Sequence, residues 1–272
     1  MGCGQSGLLT DDEIDACLDA ALSLAAWAVE RIADGPAGAR PKDGVADWVT
    51  AVDLQVEQEV RSRLSDRFPG HHIHGEEYGG EAGAAYPVWY VDPIDGTTNF
   101  VHGLPWCSFS LAVADTAGAA VGVVAAPHRG EIFSAARGRG ARLDGASIAC
   151  STAISLRGGI VLTELSGTQV YDGLPEMMRE LSRQDCVTRI MGSSALSLAS
   201  VAAARSLAAV IDAYETWDVL AGALIAAESG ATVLTRAGSR PGHRPPPGGL
   251  IAAAPGIAEA AWAAWTGGKG TA

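Results

Sequence analysis

The chain has 272 residues, enough for one large domain or two lobes sharing a core, and its 48% hydrophobic content describes a folded globular protein, not a disordered one. A net charge of −12, with only 19 basic residues and no basic cluster, argues against a polyanion as main partner, so no nucleic acid is expected. No apolar run approaches the ~20 residues of a membrane span, and the N-terminus lacks a basic start followed by an apolar stretch, so neither insertion nor export is expected.

The chain opens on Met1-Gly2-Cys3-Gly4-Gln5-Ser6, which fits the myristoylation pattern, although the Ala-rich composition favours an unmodified tail. The cysteines at 3, 17, 107, 150 and 186 form no C-x-x-C pair and are odd in number, and they read as reduced thiols of a cytoplasmic protein. Thr10 with Glu13 is a capping-box signature, followed by apolar residues at helical spacing from Ile14 to Ile32 and a stop near Gly35-Pro36. Val52, Val56, Val60 and Leu64 predict a second helix ending before Pro69-Gly70, so two helices precede the first sheet. Strands are predicted over 88–91, 108–114, 120–125 and 131–136, antiparallel because their connections are short, with a turn-rich corner over 137–145. A second αβ section begins near Ile160, with helices over 173–184, 194–205 and 219–229 and a Pro/Gly-rich surface loop over 239–249.

Residues 88–104 read VWYVDPIDGTTNFVHGL. The apolar run 88–91 delivers Asp92 and Asp95 into a turn whose Gly96 and Thr97 leave backbone N–H groups free to face an anion. Phosphatases that form an aspartyl-phosphate carry two aspartates separated by one residue; here Pro93 and Ile94 intervene, and two hard oxygen ligands flanking a carbonyl suit Mg²⁺ instead. An Asp-Pro turn closing a strand is the plainer alternative. Gly75-Glu76-Glu77, Asp53 and Asp218 add carboxylates, enough in total for two or three Mg²⁺ ions, and a small phosphorylated substrate attracted through those cations is compatible with the acidic chain. Each has a competing role: Asp53 as a helix-terminus carboxylate, Glu76 and Glu77 as a solvated turn, Asp218 as a cap for the helix over 219–229. His72-x-His74 invites zinc, but no Cys or third His is near, so these are read as loop histidines. Trp48, Trp89, Trp106 and Trp217 are read as packing residues around the site.

Asp47 to Asp53 (DWVTAVD), Gly75-Glu76-Glu77, 89–102 (WYVDPIDGTTNFVH) and 217–222 (WDVLAG) resemble, in that order, the signature segments of the inositol monophosphatase family. The likeness runs from about Thr10 to the last helix. It implies a layered αβαβα sandwich, of the inositol monophosphatase and fructose-1,6-bisphosphatase type, and a Mg²⁺-dependent, lithium-sensitive phosphomonoesterase that is usually a homodimer. It implies an N-terminal α+β lobe over 7–155 carrying the metal-binding motifs and a C-terminal α/β lobe over 156–268 completing the site. Carried over residue by residue, it implies that Glu76, Asp92 and the carbonyl of Ile94 hold one metal, that Asp92, Asp95 and Asp218 hold a second, and that Glu76 helps with a third. Thr97 with Asp53 would orient the attacking water, with Glu76 counted among the catalytic residues. Gly96 and Thr97 would cradle the phosphate, Lys42 would reach the outer metal shell and Glu77 would support it.

Substrate recognition is expected from Asp95, from Gly192-Ser193-Ser194 at a helix start and from Glu215, which aligns with the family's polyol-binding acid only across a moved gap. The segment 211–216 is several residues shorter than in typical inositol phosphatases, which removes part of the wall that would recognise the inositol hydroxyls. Inositol-1-phosphate or a related polyol phosphate is the first expectation. Histidinol phosphate, a sugar phosphate, fructose bisphosphate and a 3′-phosphonucleotide stay open, as does a regulatory binding protein on the same fold.

Overall fold

The computed structural model describes residues 7–42, 48–80, 85–240, 245 and 248–267. The tail with Cys3 and its myristoylation pattern, Asp47 and part of the loop expected over 239–249 lie outside them. Helix α1 (Asp11–Ala33) starts as its capping box predicts: Thr10 Oγ1 accepts from the Glu13 N–H at 3.3 Å, and the Glu13 carboxylate accepts from the Thr10 N–H at 2.8 Å. Its buried stripe includes Ile14, Cys17, Leu24 and Ile32. A two-residue ladder, β1 (Arg40–Pro41) with β2 (Trp48–Val49), stands between the two helices that precede the seven-stranded sheet. Helix α2 (Ala51–Arg67) is capped by Thr50 and buries Val52, Val56, Val60 and Leu64.

The first sheet has seven strands: β3 (His72–Gly75), β4 (Val88–Asp95), β5 (Ser108–Asp115), β6 (Gly118–Ala126), β7 (Glu131–Ala136), β8 (Ala141–Leu143) and β9 (Ala146–Ile148), in spatial order β3 to β9. Antiparallel pairing holds from β4 onward, while β3 runs parallel to β4. The turn-rich corner expected over 137–145 forms β8 and the turn into β9. His72 and His74 sit on β3 and are not loop residues; the His74 ring stacks on Tyr90 at 6.0 Å. Short helix α3 (Thr97–Val101), unforeseen in the sequence, follows β4.

The second sheet contains β10 (Ile160–Thr163), β11 (Val187–Ile190), β12 (Ala208–Ile211), β13 (Thr232–Thr235) and β14 (Leu250–Ala253), in the order β11-β10-β12-β14-β13. Its helices are α4 (Leu174–Arg183), α5 (Ser194–Ala202), α6 (Thr216–Glu228) and α7 (Ala258–Thr266). Helices α5 and α6 are buried along most of their length, because they lie between the two sheets and have apolar neighbours on both sides. They cross closely at Gly222, where a Cβ would stand 2.8 Å from the Leu198 Cβ. Helices α1 and α2 cover the outer face of the first sheet, and α4 and α7 that of the second. The result is five layers, an αβαβα sandwich.

Alternation along β4 sorts its side chains between these layers. Trp89 and Val91 enter the core under α1 and α2, and Tyr90 faces α5 and α6. Trp89, fully buried and donating from Nε1 to His71 Nδ1 at 3.0 Å, is therefore a core residue on the far side of the sheet and not a wall of the site. Cys17, Cys107, Cys150 and Cys186 are free thiols. Among the described residues no helix is long and apolar enough to cross a membrane.

Candidate active site

The two aspartates of the DPID segment belong to the end of β4 and not to the turn after it. In a regular strand, residues three apart point to opposite faces. Here the register slips: Asp92 pairs with Ser110 but Asp95 with Ser108, so three steps on β4 oppose two on β5. Pro93 has no N–H to give the ladder, which favours the irregularity, and the extra residue brings both carboxylates to the α5/α6 side.

Gly96 follows with φ +91°, and a Cβ there would lie 2.5 Å from the Gly192 carbonyl oxygen. Only glycine fits both the left-handed backbone and this close approach. It begins α3 without a side-chain cap, and Gly96 and Thr97 line the cavity. The Thr97 hydroxyl donates to the Ile94 carbonyl at 2.9 Å; the Ile94 side chain is buried, so only its carbonyl can serve the site. Asn99 Nδ2 donates at 2.7 Å to the carbonyls of Trp106 and Met191, fixing the segment that leads into α5.

Asp95 is held by the start of α5: it accepts from the Ser193 hydroxyl at 2.6 Å, the Ala195 N–H at 2.7 Å and the Ser194 N–H at 3.2 Å. Ser193, 1% exposed, also has its hydroxyl 3.0 Å from Ser108 Oγ. Its N-cap position turns the side chain inward, where it anchors Asp95, and Ser193 is not among the residues lining the cavity. Gly192 and Ser194 do line the cavity. Helix α5 ends at Ala202, short of the expected Arg205, which instead pairs with Glu131 at 2.7 Å.

Helix α6 begins at Thr216, not at 219, so Asp218 lies inside its first turn, where its carboxylate accepts from the Glu215 N–H at 2.8 Å. Glu215, exposed at the N-cap, lines the cavity mouth. Lys42 Nζ bridges Glu76 at 2.8 Å and Glu77 at 2.6 Å. Asp53, in the first turn of α2 and fully buried, accepts from the Thr50 N–H at 2.8 Å through Oδ2. Its Oδ1 is buried without a partner, and so is Asp92 Oδ1.

Glu76, Asp92, Asp95, Gly96, Thr97 and Asp218 line one cavity of about 390 Å³. An adjoining cavity of about 690 Å³ shares Leu165 with it and adds Trp48, Trp217, Ile190 and Met191. Burial without counter-charge raises these acids: Asp53 to about 6, Asp95 to about 6 and Asp218 to about 8, with Asp92 well above the usual range. Mutual repulsion adds to the desolvation, since Glu76 faces all four. Glu77 rises to about 7 by burial, against the pull of Lys42.

Among the described residues no three of these side chains already close around one point. Three of these acids are also held by partners outside the cluster: Glu76 by Lys42, Asp95 by α5 and Asp218 by the Glu215 N–H. The donor set nevertheless fits hard divalent cations, being all oxygen, acidic, convergent on one cavity and left with orphaned oxygens on Asp53 and Asp92.

One residue was missed in the sequence. Glu164, 6% exposed directly after β10, lines the same cavity, accepts from the Gly192 N–H and lies 2.5 Å from the Ser197 hydroxyl. Burial lifts it to about 8. Its signal was present: an apolar strand ending in an acid, the pattern that singles out Asp92.

Five layers around an acidic, oxygen-lined cavity beside the start of α3 are the architecture of a phosphatase of the layered αβαβα class. The sequence profile of the Inositol monophosphatase family matches residues 11–266, and the chain belongs to that family of metal-dependent phosphoric monoester hydrolases, which act on small phosphorylated substrates. It is 38% identical over 205 residues to inositol monophosphatase 2 of Solanum lycopersicum, covering 72% of this chain and 77% of that protein. It is 38% identical over 200 residues to the Nus factor SuhB of Pseudomonas aeruginosa, covering 71% and 74%. The solved structure of Mycobacterium tuberculosis SuhB superposes with a TM-score of 0.78 at 33% identity, over 96% of this chain and 100% of that one.

Proposed function

We propose that this protein hydrolyses a small phosphomonoester with Mg²⁺ as the cation, two or three ions per site. The observation that carries the reading is the convergence of Glu76, Asp92, Asp95 and Asp218 on one cavity, next to the uncapped start of α3. Glu76, Asp92 and the Ile94 carbonyl would hold one ion, Asp92, Asp95 and Asp218 a second, and Glu76 a weaker third. Bound Mg²⁺ supplies the lowered pKa of water and the neutralisation of the leaving oxygen. The chain supplies the rest. Backbone N–H groups at Gly96 and Thr97 bind the phosphate, and Thr97, hydrogen-bonded to the Ile94 carbonyl, orients the attacking water. Asp53, whose Oδ1 is buried without a partner, is the carboxylate that takes up the proton of that water. Gly192, Ser194 and Glu215 face the alcohol. Lys42 and Glu77 steady Glu76.

Inositol-1-phosphate or a related polyol phosphate is the first substrate of this reading, in line with the names of the relatives. The indole and aliphatic lining of the larger cavity, Trp48, Trp217, Leu165, Ile190 and Met191, favours a second: a monoester whose alcohol has an apolar face, such as histidinol phosphate. Ranking both by kcat/KM, beside a sugar phosphate and a 3′-phosphonucleotide, decides between them; a polyol ester at the top supports the first reading, and histidinol phosphate at the top replaces it. The protein is further proposed to be a cytoplasmic homodimer inhibited by lithium. The relative named as a Nus factor keeps a regulatory role in view.

A further inference from the structure

We infer that Glu57, a residue outside the cavity, is a positioning residue that sets the turn carrying Glu76; the inference rests on Glu76 being a metal ligand. Glu57 lies one helical turn after Asp53, so α2 presents both carboxylates on one face. It is fully buried, an unusual place for a carboxylate unless its oxygens are used. One oxygen accepts from the Glu77 N–H at 2.7 Å; the other accepts from the Tyr78 N–H at 3.1 Å and from Arg61 Nε at 2.8 Å. The Arg61 guanidinium reaches on to the Gly79 and Ile73 carbonyls, closing a clamp around the whole turn.

The turn is built to accept this clamp. Gly75 and Gly79 exchange two backbone hydrogen bonds of 3.0 Å, and a Cβ on Gly75 would lie 2.1 Å from a Glu57 oxygen, so no larger residue fits while that carboxylate is in place. On the other side the Glu76 N–H donates to the Val91 carbonyl at 3.1 Å, next to Asp92. Glu76 is thus fixed between β4 and the Glu57 carboxylate, while its own side chain is held by Lys42. Glu57 places the Glu76 backbone, and the backbone decides where the Glu76 carboxylate can reach.

The test is Mg²⁺ binding to the full chain by calorimetry, together with the Mg²⁺ concentration giving half-maximal phosphate release. Glu57→Gln keeps the shape but sets an amide against one of the two N–H groups. It is expected to weaken Mg²⁺ binding by roughly tenfold or more, as loss of a ligand's supporting partner does, with turnover largely recovered at saturating Mg²⁺. In the Glu76→Gln background the same change should add nothing, because Glu57 acts only through Glu76. Unchanged Mg²⁺ affinity in Glu57→Gln, or additive weakening in the double variant, overturns the inference. If Glu57→Gln does not fold, Arg61→Met opens the clamp from its half-buried side, and undiminished Mg²⁺ affinity there overturns it equally. Glu76→Gln alone separates the two levels: if it leaves Mg²⁺ binding untouched, the metal reading itself fails.

Discussion

Asp95 and Glu164 are two buried carboxylates, one from each sheet, that meet the start of the same helix. The first N–H groups of α5 have no partners within the helix, and both acids supply acceptors there. Asp95 holds Ser193, Ser194 and Ala195; Glu164 holds Gly192 and faces Ser197. Replacing Glu164 by leucine leaves the fully buried Ser197 hydroxyl without its acceptor, a loss of about 1–3 kcal/mol. Thermal or urea unfolding of Glu164→Leu should show that loss, and unchanged stability would mean that water replaces the carboxylate. Glu164 stands out less in the sequence because its loop, Leu165-Ser166-Gly167, lacks the second acid that follows Asp92 in the DPIDGT segment.

At the scale of elements, the sequence made α1, α2 and the antiparallel succession β4 to β7 plain, since capping boxes, 3.6-residue periodicity and short polar turns are local signals. The geometry of the site was less legible. The slip in β4 depends on pairing with β5, and the inward turn of Ser193 depends on Asp95 arriving from another sheet; neither is written in the residues nearby. Likewise the early start of α6 follows from a Glu215/Asp218 capping interaction that an N-terminal Asp-cap reading of Asp218 overlooks. The meeting of β4, α3 and α5 at Gly96 and Gly192 gives a prediction at this scale. Gly96→Ala forces a side chain into left-handed backbone, at about 1–2 kcal/mol, and against the Gly192 oxygen 2.5 Å away. Its melting temperature should fall and its phosphate release should drop far more than the stability loss alone explains; a fully active Gly96→Ala protein would show that this contact yields freely.

For the whole molecule, the cluster of raised acids links stability to pH and metal. Asp53 and Asp95 near 6 and Asp218 near 8 bind protons more tightly folded than unfolded, where aspartate titrates near 4. Their contribution to stability is therefore complete below about pH 4 and is lost as pH rises toward 6 and then 8. Metal-free protein should show this contribution as a melting temperature that declines over that window, and added Mg²⁺ should raise it more at pH 8 than at pH 5. A Mg²⁺ effect equal at both pH values would separate the cation from these carboxylates. The central claim, that this carboxylate cluster drives phosphomonoester hydrolysis, is tested most directly by phosphate release from a panel of small monoesters with Mg²⁺, with chelator, and by Asp95→Asn. Release that needs Mg²⁺, stops with chelator and falls at least about a hundredfold in the variant is the expected result. Near-wild-type release by Asp95→Asn, or release indifferent to chelator, would contradict it.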